Sequence, residues 1–112
     1  MSQVAGNDNL AYAKGSQFLT VDGTSDTLTI PAGVYAVDLY AAAACWVTVG
    51  APGATPTAAA GSEKTTTTSF YLPATLEKTI AIPIGDDTNQ VKIAAIQDSA
   101  GGNLYVTYRE FT

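Results

Sequence analysis

The sequence predicts an all-β fold: a single-domain antiparallel β-sandwich of about eight strands, jelly-roll-like, with an extended N-terminal arm. Three observations point there. Apolar residues recur with a period of two, turn residues return at intervals of about eight to twelve positions, and no stretch carries a helical period. The 112 residues fit one domain, divided into an arm over 1–16 and a sandwich over 17–112. A Greek-key, immunoglobulin-like sandwich is the alternative arrangement of the same strands.

The arm is small and polar, with isolated Val4, Leu10 and Tyr12 and no period. Such a segment orders only against a partner. Residues 17–21 form a short strand, and Asp22-Gly23-Thr24-Ser25 is a turn by composition. A second strand over 26–30 places Leu28 and Ile30 on one face, and Pro31-Ala32-Gly33 turns again. The stretch 34–57 is the organising one. In its first run Tyr35, Val37, Leu39 and Ala41 fall on one side and Ala36, Asp38 and Tyr40 on the other; in its second, Cys45, Val47 and Val49 oppose Trp46 and Thr48. That alternation is the mark of strands with one buried face.

Gly50, Pro52, Gly53 and Pro56 end the second run, because proline donates nothing to a sheet ladder. Residues 51–67 form the longest loop, in which Ala58 to Ala60 has room for one helical turn before Gly61. Strands follow over 69–72 and 76–82; in the latter Lys78 shares the apolar parity and is expected to snorkel or sit near an edge. After the Gly85-Asp86-Asp87 loop, residues 90–96 place Val91, Ile93 and Ala95 opposite Lys92, Ala94 and Ile96. The segment DSAGGN at 98–103 is the strongest hairpin signal, and the final strand over 104–111 sets Leu104, Val106 and Tyr108 against Tyr105, Thr107 and Arg109.

Composition narrows the function. Hydrophobic residues make up 46% and charged residues only 13%, about half the usual charged share. A surface so short of charge suits contact with neighbours, or a neutral, Thr-rich sheet. Net charge is −5, and the five cations, Lys14, Lys64, Lys78, Lys92 and Arg109, are scattered. No basic stripe faces phosphates, which argues against nucleic acid and against an anionic membrane surface. The N-terminus lacks the basic and apolar regions of a signal peptide, and no run is long enough to span a bilayer. A soluble protein made in a cytoplasm is expected.

Histidine is absent and cysteine occurs once, at Cys45. Those two facts remove Ser-His and Cys-His nucleophiles, most zinc and copper sites and an internal disulfide. Cys45 reads as a small buried hydrophobe. The ten acids fall nearly all in or beside turns, where solvation and Asx-turn bonding explain them. Two acidic segments, 22–26 and 86–89, are candidate calcium sites without the spaced ligands of an EF-hand loop. Trp46 and the tyrosines offer a sugar-stacking platform as an alternative to core packing. No cofactor or metal is expected, and no catalytic residue stands out.

From Tyr35 onward, the order of features is a strand, then ACWVTVG, the loop APGATPTAAAGS, FYLPA, a polar strand and VKIAAIQDSAGGNLYVTYRE. This order, over residues 34–110, resembles small virion accessory proteins of tailed bacteriophages. Gln97 before Asp98 and the ending YRE depart from that pattern without touching the fold. The resemblance implies a capsid decoration (cement) protein or a head-fibre base: a jelly-roll module, without catalysis, on the outside of the head. The implied partners are the major capsid protein and further copies of the chain, a homo-oligomer for which a trimer would match a capsid three-fold site. Val4, Leu10 and Tyr12 of the arm, and Pro52, Thr55, Pro56 and Thr57 of the loop, are the candidate contact residues. The implied location is the virion surface after synthesis in the host cytoplasm. The competing expectations are a carbohydrate-binding β-sandwich and a head-fibre or tail accessory protein.

Overall fold

A computed structural model of the chain describes residues 13–110. They form eight strands: β1 Ala13–Val21, β2 Asp26–Thr29, β3 Ala36–Ala41, β4 Cys45–Val49, β5 Phe70–Leu72, β6 Glu77–Ala81, β7 Lys92–Gln97 and β8 Gly102–Arg109. No helix occurs among the described residues. The residues at 58–60 accordingly take no helical turn; they lie in irregular backbone, held by the contacts described below.

Two antiparallel four-stranded sheets pack together. Sheet A has the order β1-β8-β3-β6 and sheet B the order β2-β7-β4-β5. The pairings nest, first strand with last: β1 with β8, β2 with β7, β3 with β6 and β4 with β5. Chain neighbours therefore alternate between the sheets, and only β4 and β5 are both consecutive and paired. This corrects the reading of 98–103 as a hairpin. β7 lies in sheet B and β8 in sheet A, so Asp98 to Gly101 forms a corner between layers. The small residues suit a corner as well as a hairpin, because Gly101 passes close to the Val21 carbonyl oxygen, where a Cβ would lie 2.7 Å away.

β1 begins at Ala13, four residues before the strand expected at 17, and so takes in the end of the expected arm. Lys-Gly-Ser has little intrinsic strand preference. Pairing with β8 imposes it, with a register shift between Ala13 and Gly15. Val4, Leu10 and Tyr12 lie outside the described residues, as does Phe111, which was placed in the last strand.

The inner faces carry the core. Val37, Leu39 and Ala41 of β3 meet Leu104, Val106 and Tyr108 of β8 across the ladder, and all six are buried. Cys45 and Val47 of β4, Leu72 of β5 and Ile93 and Ala95 of β7 close the core from sheet B. The alternation read from the sequence thus fixes which side of each of these strands is dry. The edges are less strict. Lys78 on the edge strand β6 stays exposed and reaches over the Phe70 ring, its Nζ 5.0 Å from the centroid.

The loop between β4 and β5 starts in a turn whose chemistry is legible. Ala54 N donates to the Ala51 carbonyl at 3.0 Å, Pro52 takes the second position and Gly53 the third, with φ 82°. Proline followed by a positive-φ glycine suits a type II turn. A Cβ on Gly53 would also lie 2.8 Å from Asn89 Oδ1. Gly53→Ala should therefore lower the unfolding free energy by about 1–2 kcal/mol, measured by urea denaturation. An unchanged midpoint would show that the turn relaxes freely.

Candidate interaction surface

The two outer faces differ. That of sheet B is partly covered by its own chain, with Tyr71 left 43% exposed. The loop over 50–69 crosses it and is fastened by polar groups: Ala58 N donates to Ser25 Oγ at 2.9 Å and Ala59 N to Ser69 Oγ at 3.1 Å. The Ser69 hydroxyl also bonds the Thr48 hydroxyl. Lys92 Nζ reaches Thr55 Oγ1 at 3.3 Å, and a Cβ on Gly61 would lie 3.2 Å from the Trp46 ring. Ala58 is consequently buried, and so is Ala94 on the outward side of β7, which alternation alone would leave wet. Trp46 is half-buried under this cover; its Nε1 donates to Asp98 Oδ1 at 3.0 Å and its ring meets Tyr71 edge-on at 5.2 Å.

The outer face of sheet A carries an open row of aromatic rings. Register places Phe18 of β1 opposite Tyr105 of β8, and Tyr105 opposite Tyr40 of β3. The ring centroids are 6.1 and 6.5 Å apart and the planes are tilted by 47° and 46°. These residues are among the most exposed large hydrophobic residues described, at 58% for Phe18, 45% for Tyr105 and 41% for Tyr40. Polar side chains border the row. Asn103 Nδ2 donates to Tyr105 Oη at 3.3 Å and Thr20 Oγ1 to Asn103 Oδ1 at 3.3 Å. On the other side lie Thr107, Asp38 and Thr79, one pleat further along.

Asp38 is the buried charge of this face. Its Oδ2 accepts from Arg109 Nη2 at 2.6 Å and Nε at 3.0 Å, and its Oδ1 accepts from the Thr79 hydroxyl at 2.7 Å. Burial works to raise its pKa, but the hydrogen bond from Thr79, then the bond and charge of Arg109, outweigh it and hold the carboxyl below its ordinary value. The arrangement is a locked ion pair supporting the sheet beneath the aromatic row.

The loop candidates Pro52, Thr55 and Thr57 are exposed and Pro56 is half-buried, so the loop both covers sheet B and keeps an outward side. Val4, Leu10 and Tyr12 belong to the undescribed segment. Tyr40 and Tyr105 belong to the tyrosines that the sequence offers as a sugar-stacking platform, whereas Phe18 is not among the sequence candidates. The alternation already turned Tyr40 and Tyr105 away from the core, but only register reveals that they line up across strands. For the sugar-platform reading the outcome is divided: Tyr108 is buried and Trp46 half-buried, whereas Tyr40, Tyr71 and Tyr105 are exposed.

The acidic segments serve the backbone. Asp22 Oδ1 accepts from Thr24 N at 2.9 Å, and Asp86 Oδ1 accepts from Thr88 N at 2.9 Å and Asn89 N at 2.7 Å. These are Asx-turn bonds. Among the described residues no three His, Cys, Asp or Glu side chains gather into a metal-binding group, and no cavity is present. Cys45 is buried at 1% exposure, and burial pushes its thiol up to about 11. An aromatic disulfide reagent should leave the folded protein untouched at pH 8 and titrate one thiol only after unfolding in guanidinium. Prompt labelling of the native chain would mean that the core opens around β4.

A scan against protein-family models, a search of curated proteins and a search of solved structures each return no match to this chain.

Proposed function

We propose that this chain is a non-enzymatic structural protein of a phage virion, a decoration protein that attaches to the outside of the assembled head and stabilises it by burying surface. The observation that carries the reading is the open row of three aromatic rings on sheet A, set on a sandwich whose opposite outer face is partly covered by its own loop. Tyrosine and other aromatic residues are enriched where protein surfaces meet, because each buries a large area at little rotamer entropy. The strand order supports the fold side of the proposal. Nested first-with-last pairing split over two sheets is how a long antiparallel hairpin rolls up into a jelly roll. The sequence resemblance over 34–110 adds the phage context.

Binding would work through mass action. A subunit with affinity for the assembled lattice and none for free capsid protein stabilises the lattice by its binding free energy. About 800 Å² per partner is enough for specific attachment. The arm and the outward side of the 51–67 loop, with Pro52, Thr55, Pro56 and Thr57, are the further contacts in this reading. The protein belongs on the virion surface, in contact with the major capsid protein and with copies of itself.

The second reading, a carbohydrate-binding module, draws on the same rings. Their mutual tilt of 46–47° suits a protein interface better than stacking on one flat sugar surface.

Co-sedimentation with undecorated heads tests both. The purified protein should pellet with heads and stay in solution alone. Tyr105→Ala should weaken the attachment at least tenfold, the loss of one interface anchor. Removal of residues 1–12, which leaves β1 whole, should weaken it as well. Failure of the intact protein to pellet would count against the capsid role, and retention on a polysaccharide resin that Tyr105→Ala abolishes would favour the sugar module.

A further inference from the structure

We propose that two copies of this chain pair antiparallel through their β1 edges, about a two-fold axis passing at Phe18. The four sheet edges are not alike. β2 has four residues, β5 has three, and β6 has five and opens on the charges of Glu77 and Lys78. Short or charged edges resist pairing with another chain. β1 has nine residues, and among the described residues its only strand partner is β8. From Gly15 to Val21 it contains neither charge nor proline. Among the described residues it is the longest edge strand, regular from Gly15 to Val21.

An antiparallel pair about a two-fold axis brings the same residue face to face with its copy. Centring on Phe18 sets position 16 opposite 20, and 14 opposite 22. The last match falls at the ends of the contact, where a lysine position faces the aspartate that follows β1. On a chain of net charge −5, this register brings no acid against acid along the strand. Phe18 also stands at the end of the aromatic row that reaches the β1 edge. Pairing there joins two rows, Tyr40-Tyr105-Phe18 and its copy, into one band across an eight-stranded sheet. Phe18, exposed at 58% in the single chain, becomes the centre of that band.

The contact concerns the purified chain alone and does not depend on the capsid reading. A two-fold contact closes at two copies, so it favours a dimer over the trimer that the sequence resemblance implies. Sedimentation velocity at about 50 μM should give twice the mass of the chain, and Phe18→Lys should give the single-chain mass with an unchanged circular dichroism spectrum. The register is tested by cross-linking under oxidised glutathione, which is clean because the native cysteine, Cys45, is buried. Opposed residues in an antiparallel pair lie about 4.5–5.5 Å apart at Cα, within disulfide range. Phe18→Cys should therefore cross-link to completion. Thr20→Cys, whose copy lies four positions away along the partner strand at about 13 Å, should not. A single-chain wild type, a dimer indifferent to Phe18→Lys, or equal cross-linking of both cysteine variants would overturn the proposal.

Discussion

Leu104→Ala is expected to lower the unfolding free energy by about 3–5 kcal/mol and the midpoint of thermal unfolding by roughly 10–20 °C. Leu104 is fully buried at 0% exposure on β8, an interior strand of sheet A. Its ladder neighbours on the same face are Leu19 of β1 and Ala41 of β3. The removed atoms lose their transfer free energy, and the space they leave is walled by two paired strands with little freedom to collapse. The adjacent residue supplies the control. Tyr105 points to the other face, and Tyr105→Ala should cost about 1 kcal/mol or less, the loss of ring contacts with Phe18 and Tyr40. Urea denaturation of the pair measures the difference. Similar losses for both would mean that β8 is out of register by one residue, because a single step exchanges its two faces.

Asp38→Ala should be the most damaging change on the outer face of sheet A, at about 1–3 kcal/mol. Asp38 is 9% exposed, and it holds the Arg109 guanidinium and the Thr79 hydroxyl together across β8, β3 and β6. Truncation takes the Asp38 carboxylate away from a half-buried guanidinium and from the Thr79 hydroxyl, which costs more than the pair contributes over an apolar replacement. The pair also sets a pH dependence. The folded carboxyl is held below its ordinary value of 3.8, so the unfolded chain binds the proton more readily. The stability contributed by the pair is fully present above that ordinary value and is lost as the pH falls through the lower folded value. The gap in stability between wild type and Asp38→Asn should stay constant from pH 7 to 5 and narrow from about pH 4 downward. A gap that widens in acid would contradict this assignment.

Much of the fold was legible because a half-buried strand leaves its period in the sequence. Val37, Leu39 and Ala41, and Leu104, Val106 and Tyr108, announce both strand and dry face by alternation alone. The partner of each strand was not legible. The turn residues at 98–103 serve a hairpin and a corner between sheets equally well, and only the pairing of β7 with β2 and β4 decides for the corner. The start of β1 was missed for a related reason: Lys14-Gly15-Ser16 acquires its strand conformation from β8 rather than from its own preferences. Ala94 read as outward and wet, and is dry because the 50–69 loop lies over sheet B, a tertiary event with no local signal. The candidate surface shows the same division. That Tyr40 and Tyr105 face outward followed from parity; that they continue into Phe18 required the register of three strands.

The proposed role, occupying surface on an assembled shell, predicts a gain in the stability of that shell. The direct measurement is the temperature at which undecorated heads come apart, followed by light scattering with increasing amounts of the purified chain. The disruption temperature should rise with concentration and level off when the lattice sites are filled, as mass action requires. Identical disruption curves at saturating protein would contradict a decoration role.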